Sequence, residues 1–181
     1  MPSYGEAVTL SGLLSLTSAT IVMVKYLKFV TWKRLLPIVA SFIIFSTIAI
    51  CLLDKIEGQA MRRILGITLI LISLYFSFFK ARLQKLIRPT KGWQYGTGAA
   101  SGIMGGLFAM HGPPVVLYLI VSEPDKDHYM GMIQTYAVVT NITMLAVRAF
   151  NGYVTPAVGS SYIYSLIGLA IGVTAGNWAF K

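Results

Sequence analysis

The sequence predicts an all-α, polytopic integral membrane protein: a helical bundle that contains one broken or re-entrant helix. Of its 181 residues, 56% are apolar and only 12% are charged, and the mean hydropathy is +0.71. Soluble globular domains carry about 25% charged residues. A membrane helix needs roughly 20 mostly apolar residues, so a chain of this length has room for about five or six crossings. We therefore expect one membrane domain, residues 1–181, with the lipid bilayer as its solvent.

The net charge of +9 is arranged as in a membrane protein rather than as in a nucleic-acid-binding protein. Basic residues cluster in two loops, residues 25–34 and 80–91, whereas residues 54–63 mix acids with bases. Cytoplasmic loops of membrane proteins are enriched in Lys and Arg. We expect both basic loops to be cytoplasmic, the protein to lie in the cell membrane, and no nucleic acid among its partners.

Three apolar segments occupy the first half of the chain. The first, residues 7–24, carries many Ser and Thr residues, which favours packing against other helices through close approach and hydrogen bonds. The second and third, residues 35–53 and 64–79, are rich in Ile, Leu and Phe. They are predicted to be scaffold helices that face lipid.

Residues 92–121 have a different composition and read GWQYGTGAASGIMGGLFAMHGPPVVLYLIV. Seven glycines fall between Gly92 and Gly112, and two prolines follow. A glycine inside a helix costs roughly 1 kcal/mol and an interior proline roughly 3 kcal/mol, so one continuous helix is improbable. The composition predicts a break near residues 111–114. Such a break survives at membrane depth only beside protein or a water-filled cavity, which makes it a candidate functional site.

The predicted break has the chemistry of an anion site. The first turn of a helix presents free N–H groups and the positive end of the helix dipole. Pro113 and Pro114 are expected to begin that helix, since proline is favoured in a first turn. Ordinary packing between helices is the alternative explanation for the pair Gly102 and Gly106. The glycines that would allow a ligand or backbone to come close are Gly102, Gly105, Gly106 and Gly112.

Two further apolar segments follow, residues 129–150 and 161–180, and the first of them carries polar side chains. Gln134 and Asn141 are seven residues apart and share a helix face. They are expected either to contact a ligand or to bond to a neighbouring helix. Arg148 is expected to extend to the membrane interface. His111 is expected either to bind an anion or to satisfy a carbonyl freed by the break.

The stretch GAASGIMGGLFAMHGPPVVLYL, residues 98–119, resembles the second glycine-rich signature of the sulfite exporter TauE/SafE family. That signature reads approximately G-x-x-S-G-x-x-G-G-L-x-G-x-x-G-P-P. MIQTYAVVTNITMLAVRAFNGYVT, residues 132–155, is similar to the family's following helix. The matching positions are Ser101, Gly102, Gly105, Gly106, Gly112, Pro113 and Pro114, and Ala109 and His111 stand where the family often has a smaller residue.

The resemblance implies a secondary transporter for small anions such as sulfite, organosulfonates or related carboxylates, moved by alternating access. Residues 1–91 would end a first repeat with three transmembrane helices, and residues 92–181 would form a second repeat with the broken helix and two more. A weak echo about 123 residues apart, KYLKFVTWKRLLPIV and VRAFNGYVTPAVGSS, agrees with such a duplication. The implied substrate contacts are Ser101, Gly102, Gly105, Gly106, His111, Gly112, Pro113, Pro114, Gln134 and Asn141.

The resemblance leaves three matters open. The chain is expected to lack the family's first glycine-rich signature and its last helix, so a homo-oligomer or a complementing half would complete it. The coupling ion would be a proton or a sodium ion. The alternative to a transporter is a truncated or non-transporting membrane subunit or assembly factor.

Catalysis, metal binding and cofactor binding are not expected. An intramembrane enzyme needs a nucleophile with a base, or a metal, at membrane depth, and the apolar segments offer only His111 and scattered hydroxyls. The two histidines are seventeen residues apart and the acids lie in loops, which gives no metal-ligand spacing.

Overall fold

The computed structural model describes residues 4–53, 66–67, 70, 87, 89–108 and 110–179. The described part is all-α, as predicted, and contains no strand. The third apolar segment, residues 64–79, lies almost entirely outside the described residues, as does most of the loops at 54–63 and 80–91. The helices are α1 (Tyr4–Tyr26), α2 (Trp32–Leu53), α3 (Lys91–Phe108), α4 (Gly112–Ser122), α5 (Lys126–Phe150) and α6 (Pro156–Ala179).

The helices have the lengths and surfaces of a membrane protein. Within the described residues α1, α2 and α5 are long and apolar enough to cross a bilayer, whereas α4 and the described apolar part of α6 are shorter. Large apolar side chains are exposed along α2 and α6, which suits contact with lipid rather than water. They include Leu36, Ile44, Ile48, Ile163, Ile167 and Ile171.

α1, α5 and α6 form one packed layer. α1 and α5 are antiparallel, since the Tyr26 carbonyl lies beside Gly131 while Ser15 contacts Asn141. α6 runs parallel to α1, because the hydroxyls of Thr17 and Tyr162 lie 2.7 Å apart and Thr155 bonds Glu6 near the start of both helices. Ser15 and Thr17 of the first segment therefore serve contacts between helices.

α2 and α3 run parallel in close contact along a stripe of glycines. A Cβ atom built on Gly98 would lie 2.2 Å from the Ile38 carbonyl oxygen, and one on Gly102 would lie 2.8 Å from the Phe42 carbonyl oxygen. A Cβ atom on Gly106 would lie 2.6 Å from the Cβ atom of Ala49 in α2. Any side chain at these three positions would separate the two backbones, so the stripe is required for helix packing.

α3 and α4 form a hairpin that returns to its starting end. The Arg34 Nη1 atom, at the start of α2, lies 2.8 Å from the Glu123 Oε1 atom, directly after α4. α3 begins at the same level, because it runs parallel to α2. The side-chain amide of Gln94 donates to the Tyr118 hydroxyl at 3.2 Å and joins the two limbs. The stretch at 92–121 thus re-enters rather than passing through the bundle.

We call the end at which α2, α3 and α5 begin the Arg34 end, and the opposite end, at which α1 and α6 begin, the Thr155 end. The described bases near the Arg34 end outnumber the described acids there. They are Lys25, Lys28, Lys33, Arg34, Lys91 and Lys126, against Glu123, Asp125 and Asp127.

α5 and α6 run in the opposite directions to α1 and α2. α1 and α5 are antiparallel, and α2 begins at the Arg34 end whereas α6 begins at the Thr155 end. The packing between these helices is reciprocal, because α5 contacts α2 and α1 contacts α6. The connection from Tyr26 to Trp32 and the connection from Phe150 to Pro156 lie 124 residues apart, one residue from the spacing of the sequence echo.

Candidate functional site at the helix break

The break between α3 and α4 lies where the composition predicted it. α3 ends at Phe108, and α4 begins at Gly112, with Pro113 and Pro114 directly after it in the first turn. The Met110 amide donates back to the Met104 carbonyl at 3.4 Å, so the chain doubles back beside α3. Pro113 and Pro114 begin the second helix, as expected from the fixed φ of proline.

The first turn of α4 lies near the middle of the bundle. The Ser101 hydroxyl donates to the His111 carbonyl oxygen, which sets the start of α4 at the level of Ser101. Ser101 is the eleventh of the eighteen residues of α3. The neighbouring Gly102 packs against Phe42, which is the eleventh of the twenty-two residues of α2. A helix N-terminus therefore points into the bundle at mid-depth.

Ser101 connects three elements. Its oxygen also lies 2.5 Å from the Tyr136 hydroxyl of α5. A serine hydroxyl has one hydrogen, and the His111 carbonyl can only accept, so Tyr136 is the donor to Ser101. Both hydroxyl hydrogens are thereby committed within the protein. Ser101 holds the break in position, and it has no hydrogen left to offer a ligand in this conformation.

The His111 side chain lies between two aromatic rings. Its ring centroid is 6.0 Å from that of Phe42 and 6.0 Å from that of Tyr136. The Nδ1 atom is buried and has no hydrogen-bond partner among the described residues. His111 is also the N-cap residue of α4, although its side chain makes no capping bond. It thus presents an unpaired imidazole nitrogen at the end of the helix.

The N-terminus of α4 offers fewer main-chain donors than most helix starts. A helix normally begins with four N–H groups that lack partners within the helix. Pro113 and Pro114 carry no N–H, so they remove two of them. What remains at the break is the main-chain N–H of His111 and of Gly112, the helix dipole and the His111 imidazole. A ligand here would therefore depend on His111 more, and on main-chain N–H groups less, than the composition of residues 92–121 predicted.

The predicted glycines fall into two groups. Gly102 and Gly106 pack on α2, so the packing explanation accounts for them. Gly105 permits the chain to fold back, because a Cβ there would lie 2.9 Å from the His111 Cβ atom. Gly112 differs, since no described atom other than its chain neighbours and its own helix lies within 4 Å of a Cβ placed on it. Of the four glycines, only Gly112 borders open space.

Gln134 and Asn141 lie on a different face of α5 from Tyr136. The Asn141 side-chain amide donates to the Ser15 hydroxyl at 3.2 Å and to the Ala137 carbonyl at 2.8 Å. Gln134 shares that α1-facing side by helical register. The structure therefore does not bring this pair to the break, and Asn141 takes the expected alternative of bonding a neighbouring helix.

Arg148 is buried, and the expectation that it extends to the membrane interface is wrong. Its side chain is 1% exposed, and Nη2 donates to the Gly106 carbonyl at 3.1 Å. The break is the physical reason. The Gly106 carbonyl would accept from the residue 110 amide in a continuous helix, but that amide bonds Met104 instead. A guanidinium at the C-terminus of α3 also complements the helix dipole.

Three residues of this region have no role that was predicted from the sequence: Phe42, Gly98 and Tyr136. Gly98 could have been found, because it extends the pair Gly102 and Gly106 by the same four-residue step. Phe42 and Tyr136 gave no such signal, since an aromatic residue in an apolar helix is ordinary. No group of three or more His, Cys, Asp or Glu side chains lies together among the residues that the structure describes.

Apolar helices that cross the bundle, together with a hairpin that turns at mid-depth, define a multi-pass membrane protein built like a secondary transporter. Broken helices near the midplane are the usual binding elements of such proteins. The chain belongs to the sulfite exporter TauE/SafE family, whose model matches residues 3–181. No curated protein and no solved structure matches it. The family assignment makes the chain a membrane transport protein.

Proposed function

We propose that this protein carries a small anion, such as sulfite, an organosulfonate or a related carboxylate, across the cell membrane. The observation that carries the proposal is the N-terminus of α4 at mid-depth of the bundle, next to the unpaired imidazole nitrogen of His111. The description of the family as sulfite exporters supports sulfite as the first anion to test.

The anion would bind in the open space at Gly112. The Gly112 N–H and the α4 dipole would face its oxygens, and the His111 imidazole would donate a further hydrogen bond. Gly105, Pro113 and Pro114 would shape the site. Ser101 and Tyr136 would position His111, whereas Gly102 and Gly106 would hold the hairpin on α2.

We infer that transport uses alternating access between two related halves. The reciprocal packing of α1 and α2 with α5 and α6 supports this mechanism, because inverted repeats can exchange their conformations around a fixed site. The excess of bases at the Arg34 end supports its placement on the cytoplasmic side. The anion would then leave or enter toward the Thr155 end.

The direct test is uptake of radiolabelled sulfite by proteoliposomes that contain the purified protein. Gly112→Leu would fill the space at the start of α4 without meeting a described neighbour, so it should insert normally and lose at least about nine-tenths of the uptake. Gly159→Leu is the matched control. Gly159 lies in the first turns of α6 and is exposed with nothing described within 4 Å, so uptake should persist.

Absence of sulfite uptake in the wild-type protein, with every related anion also inert, would contradict the proposal and favour a non-transporting membrane subunit. Equal uptake by Gly112→Leu and by the wild-type protein would show that the anion site does not lie at the break. Replacement of Gly106 would not test the anion site, because a side chain there would collide with Ala49 and the Ser46 carbonyl of α2.

A further inference from the structure

The imidazole of His111 lies at the helix break with one nitrogen inside the protein. The Nδ1 atom is buried and has no hydrogen-bond partner among the described residues, whereas the residue as a whole is partly exposed. Gly112, which follows it, borders open space. Water therefore reaches this residue, so the ring can exchange a proton with water although its Nδ1 atom lacks a partner.

The described contacts of the ring give a hydrogen on Nδ1 no acceptor. From α2 the contact is the ring of Phe42, and from α5 it is the ring of Tyr136. Tyr136 donates its hydrogen to Ser101, and Ser101 donates to the His111 carbonyl. A positively charged imidazole carries a hydrogen on both nitrogens. Without an acceptor or an opposite charge, the neutral ring is favoured while the site holds no ligand.

The helices that pack around His111 supply no carboxylate at its depth. α2, α3 and α4 contain no acidic residue, and the acid of α5, Asp127, lies in its first turn at the Arg34 end. Tyr136 is the titratable side chain that contacts the ring. Arg148 donates to the Gly106 carbonyl beside the break. The remaining basic residues of these helices lie in their first turns, also at the Arg34 end: Lys33, Arg34, Lys91, Lys126 and His128.

An anion at the break would supply what a protonated His111 lacks. It brings an opposite charge and oxygens that accept hydrogen bonds, and a buried charge is tolerated when it is paired. The imidazolium in turn gives the anion a charge partner that can appear and disappear, whereas the guanidinium of Arg148 stays protonated. Binding of the proton and binding of the anion therefore strengthen each other by the same factor.

We propose that His111 carries one proton with each anion, so that the protein is a proton–anion symporter. This inference rests on the proposed function and specifies its coupling ion. On one side of the membrane the imidazole takes a proton from water and becomes an imidazolium that pairs with the anion. On the other side the anion leaves, the proton returns to water, and the neutral imidazole is restored. Each cycle moves one negative and one positive charge, so the membrane potential does no net work on the transported pair.

The first test is nitrogen-15 nuclear magnetic resonance of the purified protein with labelled histidine at pH 8. A neutral imidazole has one bare and one protonated nitrogen with widely separated signals, whereas an imidazolium has two signals close together. Saturation with methanesulfonate, which stays a monoanion, should convert His111 from the first pattern to the second and leave His128 unchanged. Sulfite is titrated in the same way. A His111 that is saturated by either anion and keeps the neutral pattern would overturn the inference.

The second test is accumulation of radiolabelled methanesulfonate by proteoliposomes with an alkaline interior. Coupling of one proton to one anion predicts about tenfold accumulation for each unit of the pH gradient, whatever membrane potential is imposed. His111→Gln keeps an N–H donor but cannot carry the proton, so the gradient should no longer drive accumulation. His128→Gln, the same replacement in the first turn of α5, should accumulate as the wild type does.

Two results of the second test would overturn the inference. One is accumulation in the wild type that follows the membrane potential and ignores the pH gradient. The other is equal gradient-driven accumulation in His111→Gln and the wild type, which would place the coupling group elsewhere. Both results require anion uptake, so they differ from failure of the proposed function, in which no anion is taken up and none shifts the His111 signals to saturation.

Discussion

The hydroxyl of Ser101 on α3 donates a hydrogen bond to the main-chain carbonyl of His111, ten residues further along the chain. Its partner on the other side is the Tyr136 hydroxyl of α5. The bond fixes the start of α4 at mid-depth and sets the position of the imidazole. The Ser101 side chain, which is 0% exposed, therefore joins α3, α4 and α5.

Ser101→Ala should destabilise the protein and weaken sulfite uptake together. The His111 carbonyl and the Tyr136 hydroxyl would both lose a buried partner, at about 1 to 3 kcal/mol each. Thermal unfolding in detergent, followed by uptake in proteoliposomes, measures both effects. Ser46→Ala is the matched control, because Ser46 is equally buried and, among the described residues, its hydroxyl bonds only the carbonyl of Ile43 in its own helix. Equal losses of stability and of uptake in Ser101→Ala and Ser46→Ala would contradict the role of Ser101 in holding the break.

Gly102→Ala and Gly96→Ala should shift the free energy of unfolding in opposite directions. A Cβ at Gly102 would lie 2.8 Å from the Phe42 carbonyl oxygen and would push α3 from α2. At Gly96 no described atom is near, and alanine favours a helix over glycine by about 1 kcal/mol. Denaturant unfolding in mixed micelles measures the free energy of unfolding of both variants. Stabilisation of both variants would contradict the close packing of α3 on α2.

The bond between Asn141 and Ser15 should couple α5 to α1 by a measurable amount. A double-mutant cycle with Asn141→Ala and Ser15→Ala should give a coupling free energy of about 0.6 kcal/mol, with an upper range of about 1 to 2 kcal/mol. The control cycle pairs Asn141→Ala with Ser160→Ala, since the Ser160 hydroxyl bonds the Ala157 carbonyl of its own helix and no other group in the described part of the chain. A coupling of zero in the first cycle would contradict the contact.

Loss of the ion pair between Arg34 and Glu123 should loosen the end of α4 while changing global stability little. The Arg34 side chain is 44% exposed, so the pair contributes only about 0 to 1 kcal/mol. Glu123→Ala should nevertheless speed hydrogen–deuterium exchange of the last turn of α4, since the pair ties that turn to α2. Asp127→Asn, an acid at the same end, is the control. Unchanged exchange in Glu123→Ala would show that the pair does not hold the hairpin.

The break itself was predictable because its cause is local. Seven glycines and two prolines within residues 92–114 disfavour a continuous helix whatever surrounds them. The same reasoning placed Pro113 and Pro114 at the start of α4. The family resemblance, which the family model confirms, came from residues 98–119 together with residues 132–155.

The direction that each residue faces was not predictable, because it depends on contacts between distant segments. Gly102, Gly106 and Gly112 look alike in the sequence, yet two of them pack on α2 and one borders open space. Arg148 bonds a carbonyl forty-two residues away, which exists as a free acceptor only because the hairpin turns there. Asn141 meets Ser15 across 126 residues.

The central claim, that an anion binds beside His111, is tested most directly by nuclear magnetic resonance of the protein with isotope-labelled histidine. The chain has two histidines, so its imidazole signals are those of His111 and His128, and His128→Gln assigns them. Titration with sulfite should shift the His111 signal to saturation, leave His128 unmoved, and have no effect on His111 in Gly112→Leu. A His111 signal that stays fixed while His128 shifts, or two signals that shift alike without saturation, would contradict an anion site at the break.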